Sequence, residues 1–130
     1  MTTSTENSAR EPSASRVEQL RRVYESFNAR DIAAILAELA DDVTWPNGWE
    51  GGVLHGKVAV REYWRRQWSE IDPRVEPLAF GAREADVVVV TVSQTVRSLD
   101  GILVSEGIVL HVYSFVESQI SEMTIEPCGQ

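Results

Sequence analysis

The sequence predicts an α+β domain in which three N-terminal helices pack on a curved, mostly antiparallel sheet. Three observations lead there. Up to residue 71 the apolar residues recur at spacings of three and four, the period of amphipathic helices. After Pro73 the period changes, and the chain becomes runs of Val, Ile, Thr and aromatic residues, as strands are. Between two of these runs "LDGI" carries the Asp-Gly pair of a tight hairpin. Helices first and hairpin-linked strands after them place the helices on one face of the sheet.

Residues 1–15, "MTTSTENSAREPSAS", lack large apolar side chains beyond Met1 and read as a disordered tail, so the domain is expected over 16–130. The first helix follows from Val17, Leu20, Val23, Tyr24 and Phe27. Asp31 is a good N-cap for a second helix, whose stripe is Ile32, Ile35, Leu36 and Leu39. "DVTW" is a short strand that opens the glycine-rich connection "PNGWEGGVLHG". Gly56 precedes a third helix with the stripe Val60, Tyr63, Trp64, Trp68 and Ile71, which Asp72-Pro73 is expected to end. Four strands then follow: "RVEPLAFGARE", "DVVVVTVSQTVRSL", "ILVSEGIVLHVYSFV" and "QISEMTIE".

Composition narrows the function classes. The 130 residues suffice for one domain, and the net charge of −8 offers no cationic stripe for a nucleic acid. No apolar run approaches the roughly 20 residues of a membrane span, and there is no signal-peptide core, so a cytoplasmic location is expected. The single cysteine, Cys128, has no internal partner. Two histidines far apart, without carboxylates at ligand spacing, give no metal site, and there is no phosphate loop or dinucleotide fingerprint. No cofactor is therefore expected.

Three motifs in order, "VYESFNARDIAAILAELADDVTW", "LHGKVAVREYW" and "HVYSFVESQISEMTIEP", resemble the NTF2-like superfamily, which includes SnoaL-like polyketide cyclases and ketosteroid isomerases. The resemblance covers residues 17–127. It implies a cone of helices and bent sheet with a pocket at its open end, and the connection after the first strand lying over that opening. Trp49, flanked by Gly48, Gly51 and Gly52, is then expected at the pocket rim, while Trp45 points either into the cone or under it.

The resemblance also locates chemistry. The ketosteroid isomerase tyrosine falls on Tyr24, its oxyanion-hole aspartate on His111, and its base at Pro46-Asn47, where this chain has no carboxylate. Asp42 and Glu50 are the nearest substitutes. By strand alternation His111 shares a face with Val109, Tyr113 and Phe115, so an imidazole among apolar side chains needs a partner or a purpose. Gln94 interrupts the valine face Val88, Val90, Val92 and Val96 as a polar group lining the cone or turned to solvent. Tyr63, Trp64 and Trp68 fit the helical stripe and read mostly as core, with room for one of them to back the pocket.

Two functions remain open. One is a cofactor-independent isomerase, cyclase or dehydratase acting on an apolar cyclic or polyketide-like substrate. In it His111 would shuttle the proton, Tyr24 would stabilise the developing oxyanion and Asp42 would stand in for the missing base, while Trp45, Trp49, Glu50, Trp64, Gln94, Tyr113 and Met123 would hold the substrate. The other is a non-catalytic ligand-binding or dimerisation domain. In both, the outer sheet face (Val87, Val89, Val104, Ile108, Leu110 and Val112) is expected to form a homodimer.

Overall fold

In a computed structural model, which describes residues 11–128, the helices are α1 (Ala14–Asn28), α2 (Ile32–Leu36) and α3 (Lys57–Trp68). The strands are β1 (Leu39–Pro46), β2 (Val53–His55), β3 (Ile71–Glu84), β4 (Val87–Ser98), β5 (Leu103–Val116) and β6 (Gln119–Pro127). They form one six-stranded sheet in the order β2-β1-β6-β5-β4-β3. Every pairing is antiparallel except β1 with β6, which is parallel.

Four boundaries differ from the sequence reading, each for a local reason. The first helix begins at Ala14, inside the expected tail, because the Ser13 hydroxyl caps it by accepting from the Arg16 amide at 3.3 Å. Residues 1–10 of that tail lie outside the described residues. Leu39 leaves the helical stripe for β1: the Ile120 amide donates to the Glu38 carbonyl, and Leu39 pairs with Ile120. Ile71, likewise, is the first residue of β3. Asp72-Pro73 sits within that strand rather than ending a helix, because β3 is the sheet edge, where a residue without an N–H costs no ladder bond.

Helix placement is set by burial and by one side-chain clamp. Leu20, Val23 and Tyr24 of α1, Ile35 of α2, and Val60, Tyr63 and Trp64 of α3 pack with Val43, Val88, Val90, Val92, Tyr113 and Ile120 of the sheet. Asn28, the last residue of α1, accepts from the Val75 amide at 3.0 Å and donates to the Val75 carbonyl at 2.7 Å. An amide side chain thereby stands in as a strand neighbour for β3 and fixes the end of α1 against the sheet edge.

The β4–β5 ladder carries a register shift between Val96 and Arg97. Strict alternation assigned Val104 to the outer face with Ile108. The shift breaks that alternation, and Val104 lies at the cavity mouth instead.

A cavity ending in a buried polar chain

Between the inner sheet face and the helices lies a cavity of about 770 Å³, lined mainly by aromatic and aliphatic side chains, with the charged Arg74 and Glu122 and several neutral polar groups among them. A wider cleft of about 1140 Å³ runs from the start of α1 to the β3–β4 turn. The three cations among its described lining residues are already committed: the Arg16 guanidinium bonds Asp86 and the carbonyls of Ala85 and Glu117 and lies over the Phe115 ring, Arg22 pairs with Glu38, and Arg83 pairs with Glu126. The enclosed cavity is the one with polar groups turned inward.

Alternation along β5 puts His111 and Tyr113 on the inner face, 5% and 1% exposed, and both meet Tyr24 from α1. The Tyr113 hydroxyl donates to the Tyr24 oxygen at 2.8 Å. The Tyr24 hydroxyl and His111 Nδ1 lie 2.9 Å apart. Because the Tyr24 oxygen already accepts from Tyr113, its own proton fills this contact, which puts the imidazole proton on Nε2, facing the acceptor Gln94 Oε1 at 3.4 Å, a long and weak contact. Three hydroxyl and imidazole donors thus run in one direction and end at a loosely held N–H on the cavity wall.

Burial decides the charge state of this chain. It pushes the His111 imidazole down to about 4, so the ring is neutral at pH 7 rather than titrating there as a free histidine does. Burial likewise raises both tyrosines, with the neighbouring Tyr113 pushing Tyr24 further up. All three groups are uncharged, and the chain is a fixed line of dipoles.

An aromatic wall joins the helices to this chain. The Trp45 ring meets Trp64 edge-on at 5.5 Å between centroids, and Tyr113 at 6.3 Å. Trp45 therefore points into the cone and serves as both core and lining. Trp49 is half-buried and covers the rim. The segment that carries it is closed on itself. Asn47 Oδ1 accepts from the amides of Trp49 at 3.1 Å and Glu50 at 2.9 Å, and the Asn47 and Gly52 backbones bond at 3.0 Å. Gly51 and Gly52 both take φ of +88°, which side chains with a Cβ rarely adopt. The glycines allow a tight turn that pins Trp49 over the opening.

Of the residues singled out in the sequence, Tyr24, Trp45, Trp49, Trp64, Gln94, His111, Tyr113 and Met123 line this cavity. Asp42 and Glu50 do not. Val43 and Trp45 hold the inward positions of β1, so alternation turns Asp42 to solvent. Glu50 is exposed and paired with Arg66 at 3.6 Å. Glu122 is the sole carboxylate among the described lining residues, and it is exposed. The sequence reading missed the polar role of Tyr63 and Gln67, one helical turn apart on α3, whose side chains are hydrogen-bonded and line the cavity. Their i,i+4 spacing was the available signal.

Among the described residues no group of three or more His, Cys, Asp or Glu side chains is placed to hold a metal ion, and no helix is long and apolar enough to cross a membrane. Residues 20–123 match the model of the SnoaL-like domain, and the chain belongs to that family. Solved structures share its cone. An NTF2-like protein from Burkholderia pseudomallei is 25% identical over 88% of this chain and 91% of its own, with a TM-score of 0.76. TerC, co-crystallised with polyporic acid, is 26% identical over 84% and 88%, with a TM-score of 0.73. Rv0760c from Mycobacterium tuberculosis, in complex with estradiol-17beta-hemisuccinate, is 19% identical over 82% and 88%, with a TM-score of 0.71. No curated protein matches the sequence.

Proposed function

We propose that the protein binds an apolar, ring-containing small molecule bearing a carbonyl or hydroxyl oxygen, and that it acts on it as an isomerase, cyclase or dehydratase. The observation that carries this is the Tyr113–Tyr24–His111 chain, which ends in an N–H on the wall of a mainly apolar cavity. A neutral imidazole presented this way donates to a ligand oxygen and polarises it without carrying charge itself. Tyr24 and Tyr113 hold the ring in that tautomer, so Tyr24 acts through His111 rather than as a free oxyanion donor. TerC, whose structure was obtained with polyporic acid, fits the expectation of a cyclic, oxygen-bearing ligand.

A second reading, binding without turnover, is favoured by the cavity's own carboxylate inventory. Removing a proton from carbon needs a base, and among the described lining residues the one carboxylate is the exposed Glu122. Hydrogen–deuterium exchange separates the two readings without knowledge of the natural substrate. The protein is incubated with 1-tetralone in D2O, and deuterium at the carbon beside the carbonyl is followed by NMR. The catalytic reading expects protein-dependent exchange, cut by roughly 10²-fold or more in His111→Asn. Binding without exchange supports the second reading, and neither binding nor exchange contradicts both.

We further propose that two chains pair through the outer sheet face, where Ile108 is 50% exposed and Leu110, Val87 and Val89 are half-buried, while Val112 is already covered within the chain.

A further inference from the structure

The cavity has a second polar station, carried by α3 rather than by the sheet. Tyr63 is 5% exposed, and its ring lies among the core aromatics of α3. Its hydroxyl oxygen accepts from Gln67 Nε2 at 3.1 Å. That partner is a donor. The Tyr63 proton therefore has no acceptor among the described residues, although the group is buried against an apolar space. A buried O–H without an acceptor costs free energy unless something completes it. Burial pushes the Tyr63 hydroxyl above its ordinary value, which keeps the proton in place at neutral pH.

The two stations stand on different elements. His111 projects from β5 and Tyr63 from α3, and the Trp45 ring lies between those elements, in edge contact with Trp64 on α3 and Tyr113 on β5. Both stations end in a donor, and both line the same cavity.

We propose that Tyr63 is a specificity-determining residue that donates to a second ligand oxygen, so the cavity selects rigid apolar molecules with hydrogen-bond acceptors at two separated positions. Gln67 positions Tyr63 by filling one of its lone pairs and turning the hydroxyl proton into the cavity. This rests on the proposed function above, since it requires a ligand in the cavity, and it adds the second point of recognition.

The test is a titration of the wild-type protein and of Tyr63→Phe, His111→Asn and the double variant. The probes are 5α-androstane-3,17-dione, with a carbonyl at each end, and the parent hydrocarbon 5α-androstane. Trp45, Trp49 and Trp64 line the cavity and report binding through their fluorescence. A lost neutral hydrogen bond is expected to weaken the dione about tenfold in each single variant and about a hundredfold in the double variant. Hydrocarbon affinity should stay unchanged in all four proteins. Gln67→Met, which keeps the Tyr63 hydroxyl, is expected to show a smaller loss for the dione only. Two outcomes overturn the proposal and are distinguishable. If Tyr63→Phe binds the dione like wild type while His111→Asn is weakened, the cavity is read at one end only. If the wild-type protein binds neither probe, the ligand-binding reading itself fails.

Discussion

His111 governs the acid side of this protein's stability. The unfolded chain offers an imidazole with the ordinary value of 6.5, and the folded chain holds it at about 4. Between those values the unfolded state takes up a proton that the folded state refuses, so acid favours unfolding. The contribution is complete above pH 6.5 and lost as the pH falls towards 4, with a limit of about 3 kcal/mol for a shift of this size. His111→Asn keeps an oxygen where Nδ1 accepts from Tyr24 but cannot titrate. The expected outcome is a flatter stability curve between pH 4 and 6.5 than wild type, measured by urea unfolding. Equal slopes for the two proteins would contradict it. Tyr24→Phe removes the middle of the chain and leaves the Tyr113 hydroxyl and His111 Nδ1 unpaired. Thermal unfolding should register a loss of about 1–3 kcal/mol per orphaned buried group at most. At this scale the sequence was partly legible. Alternation put His111 and Tyr113 on one face and marked Gln94 as the polar break opposite. It could not show that Tyr24 bridges the two β5 side chains, because that contact depends on where α1 docks, 87 residues away in sequence. Nor could it show burial deep enough to take His111 out of the neutral range.

The elements show where local pattern gives way to long-range pairing. Helical spacing placed Leu39 and Ile71 on helices, yet both open strands, because ladder partners at Ile120 and Ser98 claim them. Asp72-Pro73 looked like a helix stop, but a proline is equally at home in an edge strand, and edge position is a property of the sheet order. The glycine-rich connection resisted reading for a similar reason. Its composition signals a turn, but its rigidity comes from Asn47 bonding two backbone amides ahead of it. Two substitutions probe these joints. Asn28→Ala removes both bonds to Val75 and should cost about 1–3 kcal/mol in thermal unfolding, since two backbone groups of a sheet edge lose their partner. Asn47→Ala releases the turn under Trp49. It should leave the melting temperature within a few degrees of wild type while weakening ligand binding, because the exposed turn contributes little core. A large loss of stability with unchanged affinity would show that the turn serves the fold rather than the cavity.

For the whole molecule, element order was enough to give helices on one face of a curved sheet, while the cone followed from the resemblance to the NTF2-like superfamily, with which the family match over residues 20–123 agrees. The use made of the cone was not legible, because the same scaffold serves catalysis, binding and assembly. The proposed dimer is checked by sedimentation at micromolar concentration, where a species of twice the 14.5 kDa chain mass is expected. A species of the chain mass alone would rule the dimer out. The cavity is proposed to receive a small molecule whose oxygen is held by the neutral His111, and a crystal structure of the protein with 5α-androstane-3,17-dione is the decisive measurement. The steroid is expected between the Trp45 ring and the sheet, with one carbonyl oxygen within about 3.2 Å of His111 Nε2. A ligand that fills the cavity with no polar atom near Nε2, or that binds elsewhere on the protein, would contradict it.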